Sequence, residues 1–209
     1  MAAATTPIPK DALYTNGTNG ISDTPHVMTW DEYLSEPTVY RRYDIVEGVR
    51  IFTSAPLVGH QEISANVNDL LRTYQKRTAT GRTLYAPCDV LVRRVPHIQV
   101  RQPDLLFVTN DRLARQPDYR TAGYLSVTPN LVVEILSDSD RRSVVAAKLA
   151  DYFTIGVDEI WIIRPEERTV DVLVRSVADY QTDATYTETD ALISAILPGL
   201  SAPVAGIFS

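Results

Sequence analysis

The sequence predicts an α/β (α+β) fold, with strands and helices interleaved along one domain. Three observations carry this. The run 131–136 is apolar except for Glu134 and lies between Pro129-Asn130 and Ser137-Asp138-Ser139-Asp140, the pattern of a strand buried on both faces. Apolar residues recur at helical spacing over 59–78 and again over 141–155. Short apolar or alternating runs at 105–108, 157–163 and 169–175 supply further strands.

The chain has 209 residues, 44% of them hydrophobic and 22% charged, which is enough for one sizeable core without an internal linker. We therefore expect a single domain over 28–209. Residues 1–27 are rich in Ala, Thr, Pro, Asn and Gly without period, and are expected to form a flexible tail. The net charge of −6 counts against a constitutive, sequence-independent nucleic-acid binder but leaves a locally basic cleft open. A single cysteine, Cys88, excludes an internal disulfide and makes a cytoplasmic setting the expectation. There is no apolar run of about 18 residues to span a bilayer, and no basic start followed by an apolar stretch to act as a signal peptide.

In chain order, Thr29 and Glu32 fit a capping box for a short helix with Trp30, Tyr33 and Leu34 on one face, stopped by Pro37. The run 43–52 reads as a strand pair or a bent strand turning at Gly48, with Asp44 and Glu47 as acids near its start. Ile63, Val67, Leu70, Leu71 and Tyr74 mark the next helix. His60 opens it, and Gly81 is expected to close it. Strands follow over 84–93, 97–101 and 105–108. The aperiodic stretch 109–129 is long for a connection and suggests a flap or a short helix. The helix 141–155 carries Val144, Val145, Leu149, Tyr152 and Phe153 inward and stops at Gly156. The strand 157–163 and its hairpin partner 169–175 come next. An edge strand over 180–187 and a short strand or helix over 191–197 complete the chain.

The chemistry concentrates where a carboxylate meets an apolar run. Glu134 in a doubly buried strand is unfavourable unless a metal ion, a cation or a shared proton offsets its charge. Asp104 stands at the mouth of the run 105–108, after Gln102-Pro103. Lys148 lies four residues from both Val144 and Tyr152, within the inward stripe of its helix. Left alone, such a lysine reads as a snorkelling side chain; beside Glu134, each charge offsets the other's burial. His60 reads either as a packed or capping residue or as a site residue. Asp44 and Glu47 read either as turn and edge chemistry or as auxiliary site acids.

These motifs taken together carry a resemblance. Tyr43-Asp44-x-x-Glu47-Gly48, a helix opening with His60, Gln102-Pro103-Asp104, Val132-Val133-Glu134-Ile135-Leu136-Ser137, Lys148-x-x-x-Tyr152-x-x-x-Gly156-Val157-x-Glu159-Ile160-Trp161 and Leu197-Pro198-Gly199-Leu200 follow one another in order. From about 28 to 208 the chain resembles a bacterial restriction-endonuclease family of the PD-(D/E)xK nuclease superfamily. The resemblance implies a mixed β-sheet flanked by helices, with Asp104 and Glu134 as metal-binding acids. It also implies a lysine moved from the strand to the following helix, here Lys148. Leu136 occupies the position that the superfamily's E-x-K pattern gives to lysine. Where this chain has Asp44, many relatives carry glutamate.

Phosphodiester cleavage needs a divalent cation, an activated water and charge stabilisation at phosphorus. Carboxylate oxygens suit Mg2+, with Mn2+ as a substitute, and the ion polarises the phosphoryl oxygen and acidifies a water. On this reading Asp104, Glu134 and the carbonyl of Ile135 hold the ion, and Lys148 orients the water or stabilises developing charge. The expectation is a Mg2+-dependent DNA endonuclease, homodimeric as the resemblance suggests. Arg41, Arg42, Arg72, Lys76, Arg77, Arg93, Arg94, Arg101, Arg141 and Arg142 are candidate phosphate contacts, set against the plainer reading of a solvated surface. Two alternatives stay open: a catalytically inactive interaction module of nuclease fold, and a hydrolase of another phosphate ester. No Gly-rich phosphate loop, nucleophile elbow, zinc-ligand spacing or dinucleotide fingerprint is present.

Overall fold

The computed structural model describes residues 26–137 and 140–209; the expected tail falls, but for its last two residues, outside this range. The elements alternate as expected. Helix α1 (Trp30–Ser35) is followed by strands β1 (Tyr43–Val46) and β2 (Val49–Phe52), then helix α2 (Val58–Thr78). Next come β3 (Gly81–Tyr85), β4 (Val90–Arg93), β5 (Gln99–Arg101) and β6 (Leu105–Thr109). The short helix α3 (Asn110–Leu113) precedes β7 (Leu131–Ile135), helix α4 (Arg142–Ile155), β8 (Glu159–Arg164), β9 (Thr169–Arg175) and β10 (Tyr180–Tyr186). The hairpin β11 (Ala191–Ile193) and β12 (Ser201–Pro203) leads into a 3-10 turn at Val204–Ile207.

Six strands form the main sheet in the order β10-β9-β8-β7-β6-β3, and four form a second sheet in the order β2-β1-β5-β4. Within the main sheet β7 and β8 are parallel, joined by α4 as the crossover, and the other pairs are antiparallel. The sheet is thus mixed and helix-flanked, as expected.

Alternation along the strands assigns each helix its face. Leu105, Phe107, Leu131, Val133 and Ile135 pack with Ile63, Val67, Leu71 and Tyr74 of α2. Leu106, Val108, Val132, Ile160 and Ile162 pack with Tyr152 of α4. The apolar side chains of β6 and β7 are buried on both faces. Each such Leu, Ile or Phe contributes roughly 1.5–3 kcal/mol of burial. A third cluster, Met28, Tyr43, Ile45, Ile98 and Val100, anchors the smaller sheet.

Local signals hold at several positions. Thr29 and Glu32 form the capping box. Gly156 ends α4 at φ +87°, where a residue without Cβ is favoured. Glu47 and Gly48, both at positive φ, make the two-residue turn between β1 and β2.

Three expectations are corrected. Gly81 does not close α2: Ala79 does, in the left-handed region, and Gly81 opens β3. There a Cβ would lie 2.4 Å from the Val108 carbonyl oxygen and 2.6 Å from the Phe107 ring, so close strand packing requires the glycine. The run 84–93 is not one strand; its two ends belong to different sheets. Ala86 still continues the β3–β6 ladder by donating to the Asp104 carbonyl, and the pairing ends at Pro87, which has no amide to donate. Leu34 is 53% exposed rather than packed with Trp30 and Tyr33. The stretch 109–129 answers the second of its two expectations, the short helix. It holds α3, and Leu125 bridges to Val90. Gln116 satisfies the Tyr124 carbonyl and the Ser126 amide. Arg112 ties the stretch to the Thr128 and Pro129 carbonyls and to Asp158, away from Asp104 and Glu134.

Candidate active site

The register of β6 and β7 decides whether the two predicted acids can meet. Leu105 pairs with Val133, so one step outward Asp104 stands opposite Glu134. Directly opposed residues of an antiparallel pair point to the same face. That face carries Leu106 and Val132 and is covered by α4. Both carboxylates are buried, each at 4% exposure.

Helix α4 then brings its lysine across. Lys148 donates to Glu134 Oε2 at 2.7 Å, and the Tyr152 hydroxyl, one turn on, donates to Oε1. The crossover between parallel β7 and β8 lays α4 over the end of β7, and the four-residue spacing of Lys148 and Tyr152 points both at one carboxylate. Asp104 is held differently. Its Oδ1 accepts from Arg42 and lies 3.3 Å from His60 Nε2, and its Oδ2 accepts the Ile135 amide at 2.7 Å. His60 reaches it from the first turn of α2.

A second charged layer backs the first. Asp44 accepts from Arg101 at 3.0 Å and from the Gln102 amide at 3.0 Å. Arg101 also donates to Asp151, which accepts from Gln99 as well. Asp151 lies three residues after Lys148 on the same face of α4. Asp89 accepts from the hydroxyls of Tyr33 and Tyr43 and from Gln102, whose side-chain carbonyl in turn accepts from the Tyr43 amide. This fixes the segment that presents Asp104.

The electrostatics follow from burial against pairing. For Asp104, burial raises the pKa, but the hydrogen bond from His60, the charges of Arg42 and His60, and the Ile135 amide outweigh it and hold the carboxyl at about 2. For Glu134, burial and the charge of Asp104 outweigh Lys148 and Tyr152, and its pKa is raised. Burial pulls Lys148 down, but Glu134 and Asp44 win and its pKa is raised, which keeps the ammonium charged. Asp44 is lowered despite burial by Lys148 and Arg101.

Of the sequence-predicted residues, Asp104, Glu134, Lys148, Asp44 and His60 converge. Ile135 joins them through its amide. Glu47 does not: it sits at the hairpin tip with Arg93 and His97. The candidate phosphate-binding cations take different places. Arg101 is buried at 3% exposure between two carboxylates, which offset its charge. Arg42 is drawn into the site. Arg41, Arg77 and Arg94 lie over the rings of Phe52, Tyr74 and Trp30. Arg72, Lys76 and Arg142 stand on the surface.

Among the described residues no group of three or more His, Cys, Asp or Glu is close enough to hold a metal. The donor set, two buried carboxylates side by side, suits a hard cation that keeps most of its water, such as Mg2+, and not a closed zinc site.

A comparison with curated proteins returned no match. Among solved structures the chain is similar to a protein from Anabaena variabilis described as "a putative nuclease belonging to DUF820". The TM-score is 0.71 with 21% identity, over 87% of this chain and 97% of that one, and this likeness supports the fold. The family model Uma2, described as "Putative restriction endonuclease", matches residues 30–205. With nearly its whole described length matched, the chain belongs to the Uma2 family of restriction-endonuclease-like proteins.

Proposed function

We propose that the protein is a Mg2+-dependent endonuclease that hydrolyses phosphodiester bonds of DNA. The observation that carries this reading is the pair Asp104 and Glu134, buried on one sheet face with the Lys148 ammonium 2.7 Å from Glu134. Carboxylates opposed on one face repel, and a cation that joins them relieves the repulsion. A bound divalent ion supplies polarisation of the phosphoryl oxygen and a more acidic water. The chain's own residues do the rest. Asp104 and Glu134 hold the ion, with the Ile135 carbonyl as a further oxygen. The Ile135 amide fixes the Asp104 rotamer, and the Tyr152 hydroxyl fixes that of Glu134. Lys148, kept protonated by its acidic neighbours, orients the attacking water or stabilises the charge growing at phosphorus. Asp44 and His60 flank this group as auxiliary residues. A homodimer would cut both strands, and the cytoplasm is the proposed setting.

Asp104→Ala and Glu134→Ala should each abolish Mg2+- or Mn2+-supported cleavage of plasmid DNA while circular dichroism stays native. Retained cleavage in either variant removes the assignment. Sedimentation velocity tests the dimer.

One observation favours a second reading, an inactive interaction module of nuclease fold. Both acids already have internal cation partners, and Leu136 stands at the E-x-K position. Calorimetry that detects no divalent binding would support it. Turnover of a small phosphoester faster than DNA would instead support a different phosphate-ester hydrolase.

A further inference from the structure

Arg42 is the group that the sequence reading left on the surface and the structure draws inside. Its guanidinium donates to Asp104 Oδ1 and, at 2.7 Å, to the Gln102 carbonyl. It thus occupies an oxygen of the acid that the metal-site reading assigns to a divalent ion. The charge inventory is nearly closed without any ion. Asp44, Asp104, Glu134 and Asp151 are met by Arg42, Arg101 and Lys148, with His60 beside Asp104. An added divalent ion therefore leaves an excess of positive charge unless one of these cations withdraws.

The three are not equally free to do so. Arg101 is clamped between Asp44 and Asp151, and its side chain is 3% exposed. Lys148 projects from the middle of a 14-residue helix onto Glu134. Arg42 and Lys148 are equally exposed at their side chains, 19% each, but Arg42 enters from the segment before β1, where Tyr40 is 89% exposed and Arg41 is exposed too. Its backbone lies outside regular secondary structure, unlike those of Arg101 and Lys148. Its partner acid would not be stranded, because the Ile135 amide and His60 remain on Asp104.

We propose that Arg42 is a placeholder cation, which balances Asp104 while no divalent ion is present and yields Asp104 Oδ1 when one binds. This rests on the metal-site reading above. Arg42 is here a positioning residue that sets the occupancy threshold of the site.

The test is titration calorimetry of the full-length protein with Mn2+ as the probe, comparing wild type with Arg42→Gln and Arg42→Lys. A charge-assisted hydrogen bond removed from competition should tighten Mn2+ binding in Arg42→Gln on the order of tenfold. Arg42→Lys, which keeps the charge but loses the fork, should fall between. Thermal melts give a second readout: without Mn2+ Arg42→Gln should melt below wild type, and saturating Mn2+ should narrow the gap. Mn2+ binding by wild type with equal or weaker binding by Arg42→Gln overturns the placeholder role and leaves the metal site standing. No Mn2+ binding by any of the three removes the metal site and the placeholder together. Binding by Arg42→Gln alone supports the proposal in its strongest form.

Discussion

Replacing Lys148 by methionine isolates the pair on which the site turns. The side chains of Lys148 and Glu134 are 19% and 6% exposed, so the ion pair is screened little by solvent. Removing one partner of a buried pair costs about 3–5 kcal/mol, mostly as an uncompensated charge. Glu134 keeps the Tyr152 hydroxyl and is free to take up a proton, which places Lys148→Met near 3 kcal/mol at pH 8, an order-of-magnitude figure. For a chain of this size that lowers Tm by roughly 6–12 °C.

The pH dependence carries the sign. The folded-state pKa of Glu134 is already raised above 4.5 by burial and Asp104, and loss of the ammonium raises it further. The native state then holds a proton that the unfolded state has released. Stability of the variant falls as pH rises through that interval, and the penalty is smaller at pH 5 than at pH 8. Urea unfolding followed by tryptophan fluorescence reports it, since Trp161 is fully buried. Adding Glu134→Gln should recover most of the loss. A Lys148→Met protein as stable as wild type at pH 8, or one whose penalty grows toward pH 5, would refute the idea that the ammonium neutralises Glu134.

Asp104→Asn should be less stable than wild type at neutral pH. With a folded pKa of about 2 against the usual 3.8, Asp104 contributes roughly 2 kcal/mol that is present above about pH 4 and lost as pH falls through 2. The variant's acid limb, read by circular dichroism, should be flatter across that window. Arg101→Met leaves Asp44 and Asp151 facing each other without their shared cation and should cost about 3–5 kcal/mol in urea, with Arg101→Lys recovering part; a cost under about 1 kcal/mol would show that the network adds nothing. Gly81→Ala should lower stability by about 1–3 kcal/mol, because the Val108 backbone oxygen has no room to move aside; a neutral effect by thermal melt would contradict the close strand approach.

What was legible in the sequence is what neighbours along the chain dictate. The apolar run around Glu134 fixes a doubly buried strand. The placement of Lys148 among Val144, Leu149 and Tyr152 fixes which way the helix turns, and the stop at Gly156 is a local backbone preference. The less visible half depends on partners far apart. Arg101 and Asp151 are fifty residues distant, and nothing near Arg101 distinguishes it from a surface arginine. Arg42 sits in a polar segment for the same reason. Gly81 is decided by which sheet its strand joins, a choice that hydrophobic period does not encode, whereas Pro87, with no amide for the ladder, was a readable sign of the break after Ala86. The Tyr152 hydroxyl was the one missed contact with a readable signal, four residues after Lys148 on an inward face.

The uniformity of β6 and β7 has a consequence for how the chain finds its alignment. With Leu, Val, Ile or Phe on both sides, a shift of either strand by one position would trade one greasy surface for another at little penalty. The carboxyls at their ends forbid it. A slipped β7 would drive Glu134 into the cluster beneath α2, with neither lysine nor tyrosine to receive it. The two acids thus act as register pins, and a variant that replaces both with apolar residues should gain alternative pairings.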